Sequence, residues 1–367
     1  MIKKDILNYD YLKQIVEIPL LFIVNFKKKK IDAKPKKILI VNTCLIGDIT
    51  ASLSAMRKFI RKKDSITDVI VPSPMKEIIE RVKGVNKVYI ARSVSERDIE
   101  KIKISNQELK ELKRNNYDLV LVIRLSKDAY YLLKEVNFKS INSSPISYTK
   151  YILHLLRKII YKGKVKQYRD VNFEWVGEDS EELTFEEIFK INQEDYKKIL
   201  QFPEMKGNEK KIIIHAASGW QKHWDIKKWV ELVKKINKLG NYKFIFIGGS
   251  KEEQEDFEKI KKKIPFKVCS LIKKVNLLEL LLIMRVSNYF IGIDSGPRNM
   301  AHLADLRSVS LIGPGPKHFM PLNNKDIVVD KSKCHCTQLF CFKGGICMKE
   351  ICVSDVYEGF KKLIAKK

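Results

Sequence analysis

Three segments of the chain contain residue types that can bind or face a charged ligand. Segment 42–50 contains Asp48, a carboxylate that can take a proton, and segment 216–224 contains Lys222, a cation that can hold an anion. The third segment, 292–299, reads Gly-Ile-Asp-Ser-Gly-Pro-Arg-Asn.

The third segment is the most informative of the three. Pro297 fits the first position of a helix, where its missing N–H has no cost, and Ser295 or Gly296 fits the cap. The N–H groups and the positive dipole at such a helix end would form a phosphate seat. Each segment also has a plain structural interpretation, with Asp48 as a helix cap, Lys222 as a solvated side chain, and the third segment as a capped turn.

Short apolar runs alternate with longer segments of helical period, and this alternation predicts α/β domains built on parallel sheets. The three segments above each leave the carboxyl end of a predicted strand. Asp225 is predicted to cap a helix that ends near Gly240. Ser250 with Glu253 predicts a capping box, and Asn276 with Glu279 predicts a weaker one. The predicted strands are 37–42, 68–71, 87–90, 117–123, 211–215, 243–247, 288–293 and 308–312, and the main predicted helices are 51–62, 148–161, 193–200, 226–236, 277–286 and 354–365.

The pattern of elements starts again in the second half of the chain, which predicts two α/β halves and a cleft between them that binds a ligand. The predicted regions are a basic N-terminal segment (1–35), a first Rossmann-like domain (36–205), a second Rossmann-like domain (206–333), and a cysteine-rich loop with a last helix (334–367). The pattern loosens over 126–205, where we place the junction.

The chain is strongly basic, with 71 Lys and Arg against 44 Asp and Glu and a net charge of +27 over 367 residues. This charge predicts attraction to polyanions without choosing among nucleic acid, anionic lipid and a phosphorylated substrate. The lysines are spread over the whole chain without a zinc-finger, RNP or basic-zipper pattern, which argues against a specific nucleic-acid partner. Walker, dinucleotide, zincin and serine-hydrolase signatures are also missing.

The N-terminal segment points to a membrane surface. The apolar stretch 15–26 is too short to span a bilayer and is followed by four lysines, 27–30, where a signal peptide would have its cleavage site. We therefore expect a cytoplasmic protein held peripherally on an anionic inner membrane face. A tail helix docked on its own domain is the alternative.

Taken in order, the three segments resemble glycosyltransferase family nine, the ADP-heptose:lipopolysaccharide heptosyltransferases. The stretch 38–57 is similar to the family's first strand, S-x-x-G-D loop and helix, with Thr43 and Cys44 in place of the usual paired serines. Residues 222–224 are similar to its K-x-W segment, 292–297 to its G-x-D-S-G-P signature, and 311–314 to its next strand and turn. The family commonly has His where this chain has Asn299, and His302 lies three positions later.

The resemblance implies a GT-B fold, with two Rossmann-like domains facing each other across a cleft. It also implies inverting, metal-independent transfer of a sugar, heptose first, from a nucleoside diphosphate donor such as ADP-heptose to a lipopolysaccharide-type or other envelope glycan. Asp48 is then the candidate base. The candidate donor-binding residues are Lys222, Asp294, Ser295, Gly296, Arg298 and Asn299. The candidate acceptor-binding residues, which could meet phosphate or carboxylate groups of a glycolipid, are Arg57, Arg61, Arg124 and Lys127.

Five of the seven cysteines cluster near the C-terminus. In a cytoplasmic protein this clustering predicts either a structural zinc site or reduced thiols, because disulfides are disfavoured there. The candidate ligands are Cys334, Cys336, Cys341 and Cys347. No cofactor is expected for the reaction itself.

Two functions of other classes remain open on the sequence. A basic nucleic-acid-binding protein would show strongly salt-dependent affinity for DNA or RNA and would be indifferent to changes at Asp48 or Lys222. A catalytically silent GT-B scaffold of envelope assembly is suggested by the departure at Asn299.

Overall fold

Two separate parallel sheets organise the chain. The computed structural model describes residues 34–91, 104–123, 127–143, 181–216, 222–314, 323–331 and 345–366. The chain divides into two compact units between Leu183 and Thr184. Within the described residues, no helix combines the length and the apolarity that a membrane span requires.

The first unit contains a five-stranded sheet of order β3-β2-β1-β4-β5, in which every pair is parallel. The strands are β1 (Lys37–Val41), β2 (Ile66–Pro72), β3 (Val85–Ala91), β4 (Tyr117–Val122) and β5 (Phe138–Ser143). The helices are α1 (Ile46–Lys63), α2 (Lys76–Glu80), α3 (Asn106–Arg114) and α4 (Lys127–Lys134). The central strand β1 is a continuous apolar run buried almost completely from Ile38 onward, as expected for a parallel strand covered on both faces.

The second unit contains a six-stranded parallel sheet of order β11-β10-β9-β6-β7-β8. The strands are β6 (Lys210–His215), β7 (Tyr242–Phe246), β8 (Cys269–Ser270), β9 (Tyr289–Ile293), β10 (Ser308–Ile312) and β11 (Asp326–Asp330). The helices are α5 (Phe185–Ile188), α6 (Gln193–Leu200), α7 (Ile226–Asn237), α8 (Lys251–Lys261), α9 (Leu277–Arg285), α10 (Gly296–Leu303), α11 (Ile346–Glu350) and α12 (Val353–Ala365).

The strand order of the second sheet reverses between β6 and β9. The chain runs outward through β7 and β8 on one side, returns, and runs outward through β10 and β11 on the other. In open parallel sheets such a reversal leaves a crevice at the carboxyl ends of the two central strands, which is where ligands bind. The fold therefore directs attention to the residues that follow β6 and β9.

The C-terminal helices are fastened to the second unit by one indole and one lysine. Trp224 is fully buried, packs edge-on against Trp229 with ring centroids 4.9 Å apart, and donates from Nε1 to the Ile351 carbonyl at 3.0 Å. Lys228 donates to the carbonyls of Lys349 and Ile351 at 2.7 Å. These bonds fix α11 and α12 beside the start of α7.

The predicted strands are all present, with ends that differ by one or two residues. The predicted caps Asp225, Ser250 and Asn276 are confirmed, since each side chain accepts a backbone N–H of the following helix. The prediction of a C-terminal cap at Gly240 was wrong, because Lys238 is the cap residue of α7 and no residue in the left-handed conformation follows it directly. The predicted helix 148–161 lies outside the described residues.

The first helix begins a full turn earlier than predicted. Because α1 starts at Ile46, Gly47 and Asp48 belong to its first turn instead of to the preceding loop, and the cap is Leu45, which has no capping side chain. The edge strands β5, β8 and β11 were not predicted, and α5 and α6 belong to the second unit.

Candidate functional site

A lysine and a carboxylate meet at the carboxyl edge of the second sheet. Lys222, which lies between β6 and α7, places Nζ 2.6 Å from Oδ2 of Asp294 and 3.1 Å from the Asp294 carbonyl oxygen. Asp294 follows β9 directly, and its N–H donates to the Leu311 carbonyl of β10 at 3.1 Å. Both side chains remain about a quarter exposed, at 28% and 24%. The pair is thus fixed in place and still accessible to a ligand.

Gly313 makes room for this lysine. A Cβ atom at Gly313 would lie 3.4 Å from Cγ of Lys222 and 2.7 Å from Sδ of Met348 in α11. The turn after β10, the lysine and the first C-terminal helix therefore pack without space for a side chain at residue 313. The sequence pattern contained this glycine, but the reason for it is a contact with α11 that no local pattern reveals.

The helix α10 begins at the predicted turn. Ser295 occupies the cap and Pro297 the second helical position, one residue later than predicted. The positive end of the helix dipole therefore lies next to the Lys222–Asp294 pair along the chain. The Ser295 side chain does not cap the helix. Its Oγ lies 2.9 Å from the Ile293 carbonyl oxygen and 3.0 Å from Nδ1 of His215.

His215 and Glu253 extend this contact into the protein. The ring Nε2 of His215 lies 2.9 Å from Oε1 of Glu253, and the histidine side chain is only 4% exposed. Oε2 of Glu253 accepts the N–H groups of Gly249 and Ser250 at 2.6 and 2.8 Å. Burial acts to raise the pKa of Glu253, but the His215 contact and these two N–H groups outweigh it, so its pKa is lowered.

The sequence analysis assigned neither His215 nor Glu253 to the candidate site. Glu253 was recognised only as half of a capping box, which it also is. The two residues are 38 positions apart and meet because β6 and β7 are neighbours in the sheet. A polar residue ending a buried strand, as His215 does, is the one signal that could have marked it.

Arg298 and Asn299 lie below the surface. The Arg298 side chain is completely buried, with Nη2 3.2 Å from Oδ2 of Asp326 and Nε donating to Oγ of Ser310 at 3.2 Å. The Arg298 side chain is thus held in an internal ion pair, and its role in donor binding stays a prediction. Asn299 is 8% exposed.

His302 belongs to the same buried cluster. Its Nδ1 lies 3.3 Å from Oδ2 of Asp326, whose side chain is 2% exposed and also bonds Ser308. Burial acts to raise the pKa of Asp326, but the contacts with His302, Arg298 and Ser308 outweigh it and lower that pKa. His302 is thus engaged with Asp326 inside the second unit.

In the first unit, Asp48 lies in the first turn of α1, partly buried. An acidic side chain there interacts favourably with the helix dipole. The preceding Asn42 fastens the end of β1 to α1 by donating from Nδ2 to Oγ of Ser52 at 3.1 Å. Asn42 Oδ1 and Thr43 Oγ1 are buried and make no hydrogen bond among the described residues. Buried polar atoms without a partner are uncommon in native structures.

Two of the predicted acceptor residues, Arg57 and Arg61, lie away from Asp48 along the same helix. Arg57 and Arg61 lie on α1 about 14 and 20 Å further along its axis. The Arg57 guanidinium is near Gly84, which precedes β3 at the opposite edge of the sheet. Lys127 begins α4 at the same edge as Asp48, since it follows β4, and Arg124 lies outside the described residues.

Of the four predicted zinc ligands, only Cys347 lies among the described residues, where it is buried in α11. Cys334, Cys336 and Cys341 lie outside them. No group of three or more His, Cys, Asp and Glu residues within the described ranges is placed to hold a metal ion. The zinc prediction therefore stays a prediction.

Comparison with known proteins gives one consistent family. The model of glycosyltransferase family 9 (heptosyltransferase) matches residues 107–343. Lipopolysaccharide heptosyltransferase 1 of Campylobacter coli is 25% identical to the chain over 345 residues, covering 89% of this chain and 98% of that protein.

Solved structures agree with this match. A family 9 glycosyl transferase from Veillonella parvula DSM 2008 has a TM-score of 0.72 at 17% identity, covering 93% of this chain and 100% of that one. The E. coli ADP-heptose lps heptosyltransferase II has a TM-score of 0.65 at 17% identity, covering 89% and 98%. The predicted fold class, two Rossmann-like α/β domains as in GT-B heptosyltransferases, is confirmed. With a family match over more than half of its length, the chain belongs to glycosyltransferase family 9 and is a glycosyltransferase.

Proposed function

We propose that the chain transfers heptose from ADP-heptose to a lipopolysaccharide-type acceptor, with inversion at the sugar and without a catalytic metal. The observation that carries the proposal is the accessible Lys222–Asp294 pair beside the first turn of α10, at the reversal point of the second sheet. The Campylobacter coli and E. coli relatives are heptosyltransferases by name, and they supply the sugar, the nucleotide and the acceptor class.

The donor is proposed to bind the second unit. Lys222 and the positive end of α10 would face the diphosphate, which becomes more negative as the bond to the sugar breaks. Asp294 holds Lys222 in position and offers its carboxylate to donor-sugar hydroxyls. The main-chain N–H groups of Ser295 and Gly296 are the proposed phosphate contacts, while Pro297 has none to give.

The acceptor is proposed to bind the first unit with its hydroxyl next to Asp48. In a single displacement, the acceptor oxygen forms a bond to the anomeric carbon while the bond from that carbon to the diphosphate oxygen breaks. The hydroxyl proton passes to the Asp48 carboxylate, and ADP leaves with the electron pair of the broken bond. Attack opposite to the leaving group gives the inverted product.

Metal independence is proposed because the donor site carries its own positive groups. A lysine ammonium and a helix N-terminus can stabilise a departing diphosphate electrostatically, which is the role of a divalent cation in other transferases. Turnover that survives treatment with EDTA would support this part, and turnover restored only by added Mg²⁺ or Mn²⁺ would contradict it.

The experiment that tests the proposal is transfer from ADP-heptose to a heptose-acceptor glycolipid, with product formation followed by mass spectrometry and the anomeric configuration determined by NMR. We expect an inverted product from the wild type and a loss of about a hundredfold or more in kcat for Asp48→Asn. Lys235→Met, on the far end of α7 and 46% exposed, is a matched control expected to keep full turnover. A product with retained configuration, or an active Asp48→Asn variant, would contradict the proposal.

A cytoplasmic location at the inner membrane face is part of the same proposal, since the acceptor is a lipid-linked glycan. The segment proposed to bind the surface, 1–35, lies almost wholly outside the described residues. Co-sedimentation with vesicles containing phosphatidylglycerol tests it. Binding that weakens with salt and disappears when lysines 27–30 are changed to glutamine is expected, and binding indifferent to that change would contradict it.

A further inference from the structure

The Ser295 hydroxyl sits at a helix cap without capping the helix. Ser295 has the extended backbone of a cap residue, and a serine there ordinarily accepts an N–H from the first turn of the helix. Its Oγ lies instead at hydrogen-bond distance from Nδ1 of His215 and from the Ile293 carbonyl oxygen. The hydroxyl is therefore turned away from α10 and toward the two central strands.

The tautomer of His215 follows from its other neighbour. Glu253 is an acceptor held by two backbone N–H groups, and its lowered pKa keeps it ionised, so the Nε2 of His215 that contacts it carries a proton. The Nδ1 atom then either accepts from Ser295 or, in the doubly protonated ring, donates to it. The single Ser295 hydroxyl proton goes to Nδ1 or to the Ile293 carbonyl in the first form, and to the Ile293 carbonyl in the second.

Two glycines leave space for this chain of contacts. A Cβ at Gly292 would lie 3.1 Å from Cβ of His215 and 2.6 Å from the Phe290 ring. A Cβ at Gly248 would lie 2.8 Å from the carboxylate of Glu253. Side chains at either position would displace one of the two partners of the ring. The backbone at the ends of β7 and β9 is thus shaped around the His215–Glu253 contact.

We propose that His215 is a positioning residue for donor binding. It holds the Ser295 hydroxyl toward the strands, so that this hydroxyl does not compete with the donor diphosphate for the first turn of α10. The inference rests on the proposed function, because it assumes that a diphosphate binds at this turn. It adds that Ser295 contributes its main chain to the donor and that its side chain serves as a brace.

The test is a double-mutant cycle read by calorimetric titration of the full chain with ADP. His215→Ala releases the hydroxyl to cap the helix, and we expect about fivefold weaker ADP binding, which corresponds to one capping hydrogen bond. Adding Ser295→Ala to that variant removes the competitor, and ADP affinity should recover about threefold. In the wild-type background the same Ser295→Ala change only removes the brace and should weaken binding slightly. Ser295→Ala is thus expected to weaken ADP binding in the wild type and to strengthen it in the His215→Ala variant.

Other outcomes overturn the inference. If Ser295→Ala weakens ADP binding tenfold or more in both backgrounds, the hydroxyl contacts the ligand directly. If the serine effect is the same in both backgrounds, His215 does not govern the hydroxyl. If the wild type fails to bind ADP, the proposed function is contradicted, and the inference that rests on it falls with it.

The protonation state of the His215 ring provides a second test. It is measured on the wild type and therefore does not depend on whether any variant folds. In wild-type protein labelled with ¹⁵N at its six histidines, the His215 signals should show a protonated Nε2. A ring protonated at Nδ1 alone would contradict the assigned chain of hydrogen bonds whether or not ADP binds.

Discussion

Replacing Arg298 by methionine separates a structural role of this side chain from a role in donor binding. The guanidinium is completely buried and pairs with Asp326 at 3.2 Å, and Asp326 is itself 2% exposed. Methionine fills most of the same volume without charge. The Asp326 carboxylate would then keep His302, Ser308 and the Asn323 N–H as partners, none of which carries a permanent positive charge.

Removing one partner of a buried ion pair costs about 3–5 kcal/mol, because the other charge stays buried. For a unit of this size, each kcal/mol lowers the melting temperature by about 2–4 °C, so the second unit should melt roughly 6–20 °C lower. The Arg298 main chain is unchanged. ADP affinity, measured below the new melting temperature, should therefore stay within about threefold of the wild type.

The difference in melting temperature between Arg298→Met and the wild type should depend on pH. The pKa of Asp326 is lowered in the folded protein, so its contribution to stability is present above the ordinary carboxyl pKa of about 4 and is lost as the pH falls through the lowered value. Without Arg298 the pKa of Asp326 rises, since burial remains and one cation is gone. The two melting temperatures should therefore differ most near pH 7, and they should approach each other as the pH falls below the raised pKa of Asp326 in the variant and then through its lowered pKa in the wild type.

Calorimetric melting at several pH values, with Lys235→Met as the control for loss of one positive charge, measures this difference. A melting temperature within about 1 °C of the wild type, together with ADP binding weakened more than tenfold, would refute the reasoning. The Arg298 side chain would then be a donor ligand, as the sequence had suggested.

Three further predictions concern neighbouring features. Asp294→Asn should lower kcat/KM about a hundredfold with little change in melting temperature, and nearly intact turnover in a steady-state assay would reduce Asp294 to a turn residue. Gly292→Ala should destabilise the protein by about 1–3 kcal/mol because its Cβ would lie 2.6 Å from the Phe290 ring, whereas Gly249→Ala, with nothing within 4 Å, should not; equal melting temperatures would contradict this. If the cysteine cluster at 334–352 holds structural zinc, elemental analysis should find about one zinc per chain, and less than about half would indicate reduced thiols.

Much of the fold could be predicted, because buried parallel strands can be recognised from the local sequence alone. Strands β1, β6 and β9 are short apolar runs, and the caps Asp225, Ser250 and Asn276 are marked by residue type and spacing. Three of the four edge strands, β5, β8 and β11, were missed, and for β5 the reason is physical. Residues 138–143 alternate with lysine, serine and asparagine, because an edge strand is only partly covered and does not need a continuous apolar run.

The start of α1 was misjudged because Gly47 indicates a turn, while the helix tolerates it in its first turn without a side-chain cap. At the candidate site, the order of Asp48, Lys222 and Asp294 along the chain was enough to suggest the family. The His215–Glu253 contact and the burial of Arg298 could not be predicted, since both depend on which strands become neighbours. Local pattern identifies the loops, and sheet order decides which of their side chains face a ligand.

The central claim is that Lys222 holds the donor diphosphate while Asp48 serves the chemistry. Calorimetric titration of ADP into the wild type, Lys222→Met and Asp48→Asn tests it most directly. We predict that Lys222→Met binds ADP about 10- to 100-fold more weakly, as expected for loss of a charge-assisted contact, and that Asp48→Asn binds it as the wild type does. Unchanged ADP affinity in Lys222→Met would contradict the account.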